Sequence, residues 1–73
     1  MYGEPERIIL GIDPGTNVMG FGVIRVVGSR VEMVEMGILD LRKEGDTYLK
    51  LKMIYDFVIT LIEKFLPDEF AIE

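Results

Sequence analysis

The 73-residue chain contains neither cysteine nor histidine. Without thiols, no disulfide framework and no thiolate metal centre can reinforce the fold. Without imidazole, a His-activated nucleophile is excluded and the commonest zinc ligand is missing. Basic residues are also few. The 8 Lys and Arg against 13 Asp and Glu give a formal charge of -5, unfavourable for a generic polyanion binder. No apolar run approaches the roughly 18 residues that a membrane span needs. The opening Met1-Tyr2-Gly3-Glu4-Pro5-Glu6 is polar and acidic, unlike a basic-then-apolar secretion signal. A cytoplasmic, reduced setting is the default expectation.

What is present is a folding composition. The chain is 49% hydrophobic and 29% charged, which excludes global disorder and fits one small domain. A domain of this size hides only about 60% of the surface its unfolded chain exposes, so its core is slender. Residues 1–6 show no periodicity and read as a disordered leader, with the folded part over 7–73. Ile8-Ile9-Leu10-Gly11-Ile12 is then an unbroken apolar run ending at Asp13. Continuity with β-branched residues predicts a central strand covered on both faces. Asp13-Pro14-Gly15-Thr16-Asn17 carries turn chemistry, with Pro presetting one dihedral and Gly admitting positive φ.

Met19 to Leu41 reads as two strands joined at Gly28-Ser29, a two-residue hairpin signal. Pairing Val27 with Arg30 puts Arg25 opposite Glu32, Val23 opposite Val34 and Phe21 opposite Met36. Opposite charges and apolar residues then coincide, which favours the alignment. On the other face Val26 meets Val31, Ile24 meets Met33 and Gly20 meets Gly37. Glycines so placed leave a flat patch open to close approach. Asp46 or Thr47 can cap a helix. Leu51, Ile54, Val58, Leu61, Ile62 and Phe65 then form a stripe at helical spacing. Leu49, Met53 and Phe57 form a second line, predicting cover on more than one side. The methionines and phenylalanines read as core filling, and Lys50, Lys52 and Lys64 as a solvated face. Pro67 stops the helix, and Phe70-Ala71-Ile72-Glu73 reads as a last strand.

The order strand, strand, strand, helix, strand predicts an α/β fold. Three antiparallel strands are followed by a crossover helix and a fourth strand parallel to the first. If residues 7–12 and 70–73 lie side by side, Asp13 and Glu73 emerge at one end of the sheet, about 4.8 Å apart by strand spacing. That carboxyl edge is where open α/β sheets place their sites. Two carboxylates so close repel by roughly 3 kcal/mol at an effective dielectric near 20. The repulsion is relieved by a proton on one of them or by a cation between them. With neither cysteine nor histidine present, such a site is all oxygen and favours Mg²⁺ or Mn²⁺. Hydrated cations there could polarise a phosphodiester and activate the attacking water. Taken alone, an aspartate before Pro-Gly is commonly a turn former, and Glu73 by itself carries no functional weight.

Ile9-Leu10-Gly11-Ile12-Asp13-Pro14-Gly15-Thr16, with Gly20-Phe21-Gly22-Val23-Ile24 after it, resembles the N-terminal portion of the RuvC family of Holliday-junction resolvases, the crossover junction endodeoxyribonucleases. Leu66-Pro67-Asp68-Glu69-Phe70-Ala71-Ile72-Glu73 resembles the second motif of that family. The resemblance implies a ribonuclease-H-like mixed sheet and a homodimer that cuts four-way DNA junctions with Mg²⁺ or Mn²⁺. By motif, it makes Asp13 the first metal-binding aspartate and Glu73 the second catalytic acid. Family members are more than twice this length and carry two further acidic ligands near their C-terminus. The chain therefore looks like a truncated fold, expected to be inactive by itself and to self-associate through an exposed edge or bare sheet face. Gly11-Ile12-Asp13-Pro14-Gly15-Thr16 also resembles the first phosphate motif of actin-like ATPases and sugar kinases. The terminal Phe70-Ala71-Ile72-Glu73 favours the nuclease. Another ribonuclease-H-like nuclease acting on structured RNA or DNA is a close alternative, and a packed module without activity is the plainest one.

Overall fold

Backbone pairing follows the hydrophobic pattern of the chain closely. The computed structural model describes residues 5–15 and 17–73. Its elements are β1 (Glu6–Asp13), β2 (Val18–Val27), β3 (Arg30–Asp40), α1 (Thr47–Phe65) and β4 (Glu69–Ile72). They form one four-stranded sheet in the order β3-β2-β1-β4. β1 and β2 are antiparallel, as are β2 and β3, and β4 runs parallel to β1. The fold is the expected α/β mixed sheet. β1 begins at Glu6, which pairs with Val27, inside the segment read as leader; residues 1–4 lie outside the described residues.

The β2–β3 hairpin turns at Gly28, whose φ of 60° only glycine adopts without strain. From Val27↔Arg30 to Ile24↔Met33 the pairing is the expected one. Beyond it, a bulge shifts the register by one. Val23 pairs with Glu35, Gly22 with Met36, Phe21 with Gly37 and Gly20 with Ile38. Val34 is the extra residue, and the shift moves every later residue of β3 to the opposite face from that expected. Gly20 and Gly37 therefore do not meet. Gly37 instead lies under the Phe21 ring, where an added Cβ would fall 2.9 Å from a ring carbon. The need for Gly15 is also a matter of space and not of φ: a Cβ there would collide with the Val18 carbonyl oxygen, and Gly28 is the positive-φ glycine among the described residues.

α1 starts at Asp46, whose carboxylate accepts a hydrogen bond from the Leu49 N–H at 3.1 Å. Such a cap satisfies one of the first-turn donors. The helix ends at Leu66, held left-handed at φ 47° while its N–H donates to the Ile62 carbonyl. Along α1, Ile54, Phe57, Val58, Leu61, Ile62 and Phe65 pack on Leu10, Ile12, Met19 and Val23. Phe57 meets Phe21 edge to face at 5.3 Å between ring centres, a favourable aromatic geometry. Leu41 is also buried, its N–H donating to the Asn17 carbonyl at 2.7 Å.

Three expectations of cover are corrected. Only one face of β1 is packed by the helix. Leu51, Leu49 and Met53 are exposed, so Phe57 alone of the second helical line joins the core. Met19 fills the core, as do Phe21, Phe57 and Phe65, whereas Met33, Met36, Met53 and Phe70 are exposed. The reason is geometric: one helix covers the middle of one face of the sheet. Met33 and Met36 lie on the other face, Phe70 lies on the edge strand β4, and Leu49, Leu51 and Met53 lie on parts of α1 that do not meet the core.

Candidate active site

The site is built where β1 and β4 end together. Their parallel register runs from Ile9↔Glu69 to Ile12↔Ile72, and the Glu73 N–H donates to the Ile12 carbonyl at 3.2 Å. The other end of β4 is pinned as well. The Asp68 N–H donates to the Ile8 carbonyl at 2.8 Å, the Ile8 N–H donates to Asp68 Oδ2 at 2.7 Å, and Arg7 pairs with Glu69 at 2.8 Å. Asp13 and Glu73 therefore occupy neighbouring strand ends on one rim, roughly 4.8 Å apart by strand spacing. Both line the same groove.

That groove lies on the face turned away from α1 and has a volume of about 510 Å³. Gly11, Gly20, Gly22 and Ala71 line it, with Met36 and Ile38 on the β3 side. Asp13 pairs with Gly20 on β2, so the carboxylate stands beside a residue without a side chain. Among the described residues, neither Asp13 nor Glu73 forms an ion pair or a side-chain hydrogen bond. Asp40, at the same end of the sheet, differs. Arg42 grips it through both guanidinium and backbone N–H groups, and these hydrogen bonds lower its carboxyl pKa to about 2.

A divalent cation fits the two unpaired carboxylates in donor chemistry. Both supply hard oxygen, both are solvent-exposed, and Mg²⁺ characteristically binds one or two carboxylates while keeping several waters. The described residues contain no group of three or more His, Cys, Asp or Glu side chains able to hold a metal. Asp13 and Glu73 are thus two neighbouring oxygen donors, fewer than such a group needs. The glycines of the floor are visible in the sequence as Gly20-Phe21-Gly22. What the sequence does not show is that Ile38 rather than Gly37 stands beside Gly20 on β3, and that Asp13 and Gly11 are their partners on β1.

Comparison with solved structures first defines the fold. An Aquifex aeolicus PPX-GPPA enzyme superposes with a TM-score of 0.74 at 14% identity, covering 93% of this chain and 26% of its own. At that identity the likeness shows the fold alone, and it gives the ATPase alternative no chemical support. Sequence comparison then defines the family. Residues 9–73 match the family model of the crossover junction endodeoxyribonuclease RuvC. The RuvC of Bacteroides fragilis is 63% identical over 68 residues, and that of Christiangramia forsetii 53% over 70 residues. The alignments cover 93% and 96% of this chain and 36% of each relative. The chain belongs to the RuvC family and spans little more than a third of the length of these relatives.

Proposed function

We propose that this chain is the part of a Holliday-junction endonuclease that supplies its first two metal-binding acids, Asp13 and Glu73. One observation carries the reading: in a RuvC-family chain, these two carboxylates end adjacent parallel strands on one rim, beside an open groove. The whole protein then hydrolyses phosphodiesters of four-way DNA with Mg²⁺ or Mn²⁺, as a homodimer, in the cytoplasm. No helix of the described residues is long and apolar enough to cross a membrane.

Asp13 and Glu73 hold the cation and set its position against the sheet. A cation bound there neutralises charge on a phosphate oxygen and lowers the pKa of its bound water. The strand hydrogen bonds fix the backbone positions from which the two carboxylates project, while the exposed side chains remain to be ordered by the ion. Their exposure leaves the groove open to a phosphodiester. Two carboxylates do not complete a hydrolytic site, so the 73-residue chain is inactive on junctions by itself. The exposed β4 edge and the uncovered apolar face of β3 also support self-association of this chain.

The test is Mn²⁺ titration of the ¹⁵N-labelled chain. Paramagnetic broadening should centre on the Asp13 and Glu73 amides and weaken at least tenfold in Asp13→Asn. Broadening centred on another acidic cluster overturns the assignment. Cleavage of a four-way junction by this chain with Mn²⁺ overturns the claim that it is inactive alone.

A further inference from the structure

Glycine within a strand weakens it, because the unfolded chain gains freedom and no side chain packs. A glycine there is explained by the fold when φ is positive or when a neighbour occupies the place of Cβ. Gly37 has such a reason in the Phe21 ring. Gly22 has none. It lacks positive φ, and an added Cβ would meet nothing within 4 Å. Gly20 is similar, since its Cβ would make only ordinary contact, 3.9 Å from that of Asp13. Both glycines lie in β2, paired on one side with β1 and on the other with β3. Their backbone groups serve the sheet ladders, so what they offer a ligand is clearance rather than hydrogen bonds.

Both line the same groove as Asp13 and Glu73, Gly20 directly across from Asp13 and Gly22 across from Gly11. We infer that Gly20 and Gly22 are positioning residues for the substrate: their missing side chains let a nucleic-acid backbone lie flat against β1 and β2, bringing a phosphodiester to the carboxylate pair. This rests on the metal-site reading above and adds a steric condition to it. Any side chain at position 22 stands in the open space of the groove, the volume a sugar-phosphate backbone must fill. The walls there are apolar on the β3 side, with Met36 and Ile38, so the strand is admitted by shape and anchored at its phosphate through the cation.

The inference predicts opposite signs for stability and binding. Gly22→Ala and Gly22→Val should keep the fold and raise Tm by about 4 °C, since each replaces a strand glycine where space is free. Mn²⁺ broadening at Asp13 should be unchanged in both. A tetradeoxythymidylate, added to the Mn²⁺-loaded chain and followed by amide shifts, should bind the wild type. Its affinity should fall severalfold in Gly22→Ala and at least tenfold in Gly22→Val. Equal affinity in wild type and Gly22→Val overturns the inference, as does a folded, Mn²⁺-loaded wild type that takes no oligonucleotide. If Mn²⁺ fails to reach Asp13 in the wild type, the metal reading fails first and the inference with it, and the broadening spectrum separates that result from the others. Should Gly22→Val lose its dispersed spectrum, the methyl-sized Gly22→Ala carries the same comparison.

Discussion

The two faces of the sheet are made by the same strands and have almost opposite characters. On the face under α1, Leu10, Met19 and Val23 are fully buried, and Phe21 reaches Phe57. On the other face, one residue along each strand, stand Gly11, Gly20, Gly22, Asp13 and the exposed Met33, Met36 and Ile38. The alternation of a strand, with period two, allows this division. Large side chains with partners lie under the helix, glycines lie around the carboxylates, and the large side chains of β3 on that second face are left exposed. Stability is concentrated on one face, and the groove proposed for chemistry is on the other.

The sharpest way to break that division is to make a hole beneath the helix. Leu10→Ala removes a side chain with no exposed surface, and such truncations cost about 2–5 kcal/mol. In a chain with so slender a core, the expected outcome is loss of cooperative unfolding in urea followed by circular dichroism. A second probe uses glycines on the two faces. Gly37→Ala pushes a methyl into the Phe21 ring and should lower stability by about 1–3 kcal/mol. Gly22→Ala, two residues down the other face from Gly20, should not lower it at all. Equal losses for the two would show that the open face is packed in solution. Met36, 71% exposed, supplies the weaker control: Met36→Ala should change stability by no more than about 0.5 kcal/mol, while reducing any self-association seen by light scattering at high concentration.

How far the sequence discloses this division depends on which contacts are local. The hairpin turn, the helix cap at Asp46 and the parallel placement of β4 are each written in short segments, in turn residues, a capping side chain and an apolar run. The adjacency of Asp13 and Glu73 follows from those elements and a topological rule, so it too is legible. The bulge at Val34 is not. Alternation alone favours Val23 opposite Val34, and it matches two apolar residues. Glu35 takes that place instead, on the α1 side of the sheet, where Lys64 stands 3.6 Å from its carboxylate, although an exposed pair of this kind is too weak to set a register. The glycine floor is legible in part: the sequence puts Gly20 on a flat patch but gives it Gly37 as neighbour, whereas it stands between Asp13 of β1 and Ile38 of β3. Leu41 reads as the end of a strand, and it is buried where its N–H donates to the Asn17 carbonyl just before β2.

The open face contains one further contrast, between carboxylates at the same end of the sheet. Asp40 is held by Arg42, whereas Asp13 and Glu73 have no such cation among the described residues. The Arg42 hydrogen bonds lower the Asp40 pKa from the usual 3.8 to about 2. A carboxyl lowered by folding binds its proton more weakly in the native state than in the unfolded one. Its contribution is therefore complete above about pH 4 and is lost as pH falls toward 2. Because the pair is exposed, the effect is small and is screened by salt. Asp40→Asn should slightly lower Tm at pH 6, lose that difference near pH 2, and leave Mn²⁺ broadening at Asp13 as it was. If Asp40→Asn weakens Mn²⁺ binding as much as Asp13→Asn does, Asp40 is part of the cation site, and the separation of a neutralised rim acid from two available ones fails.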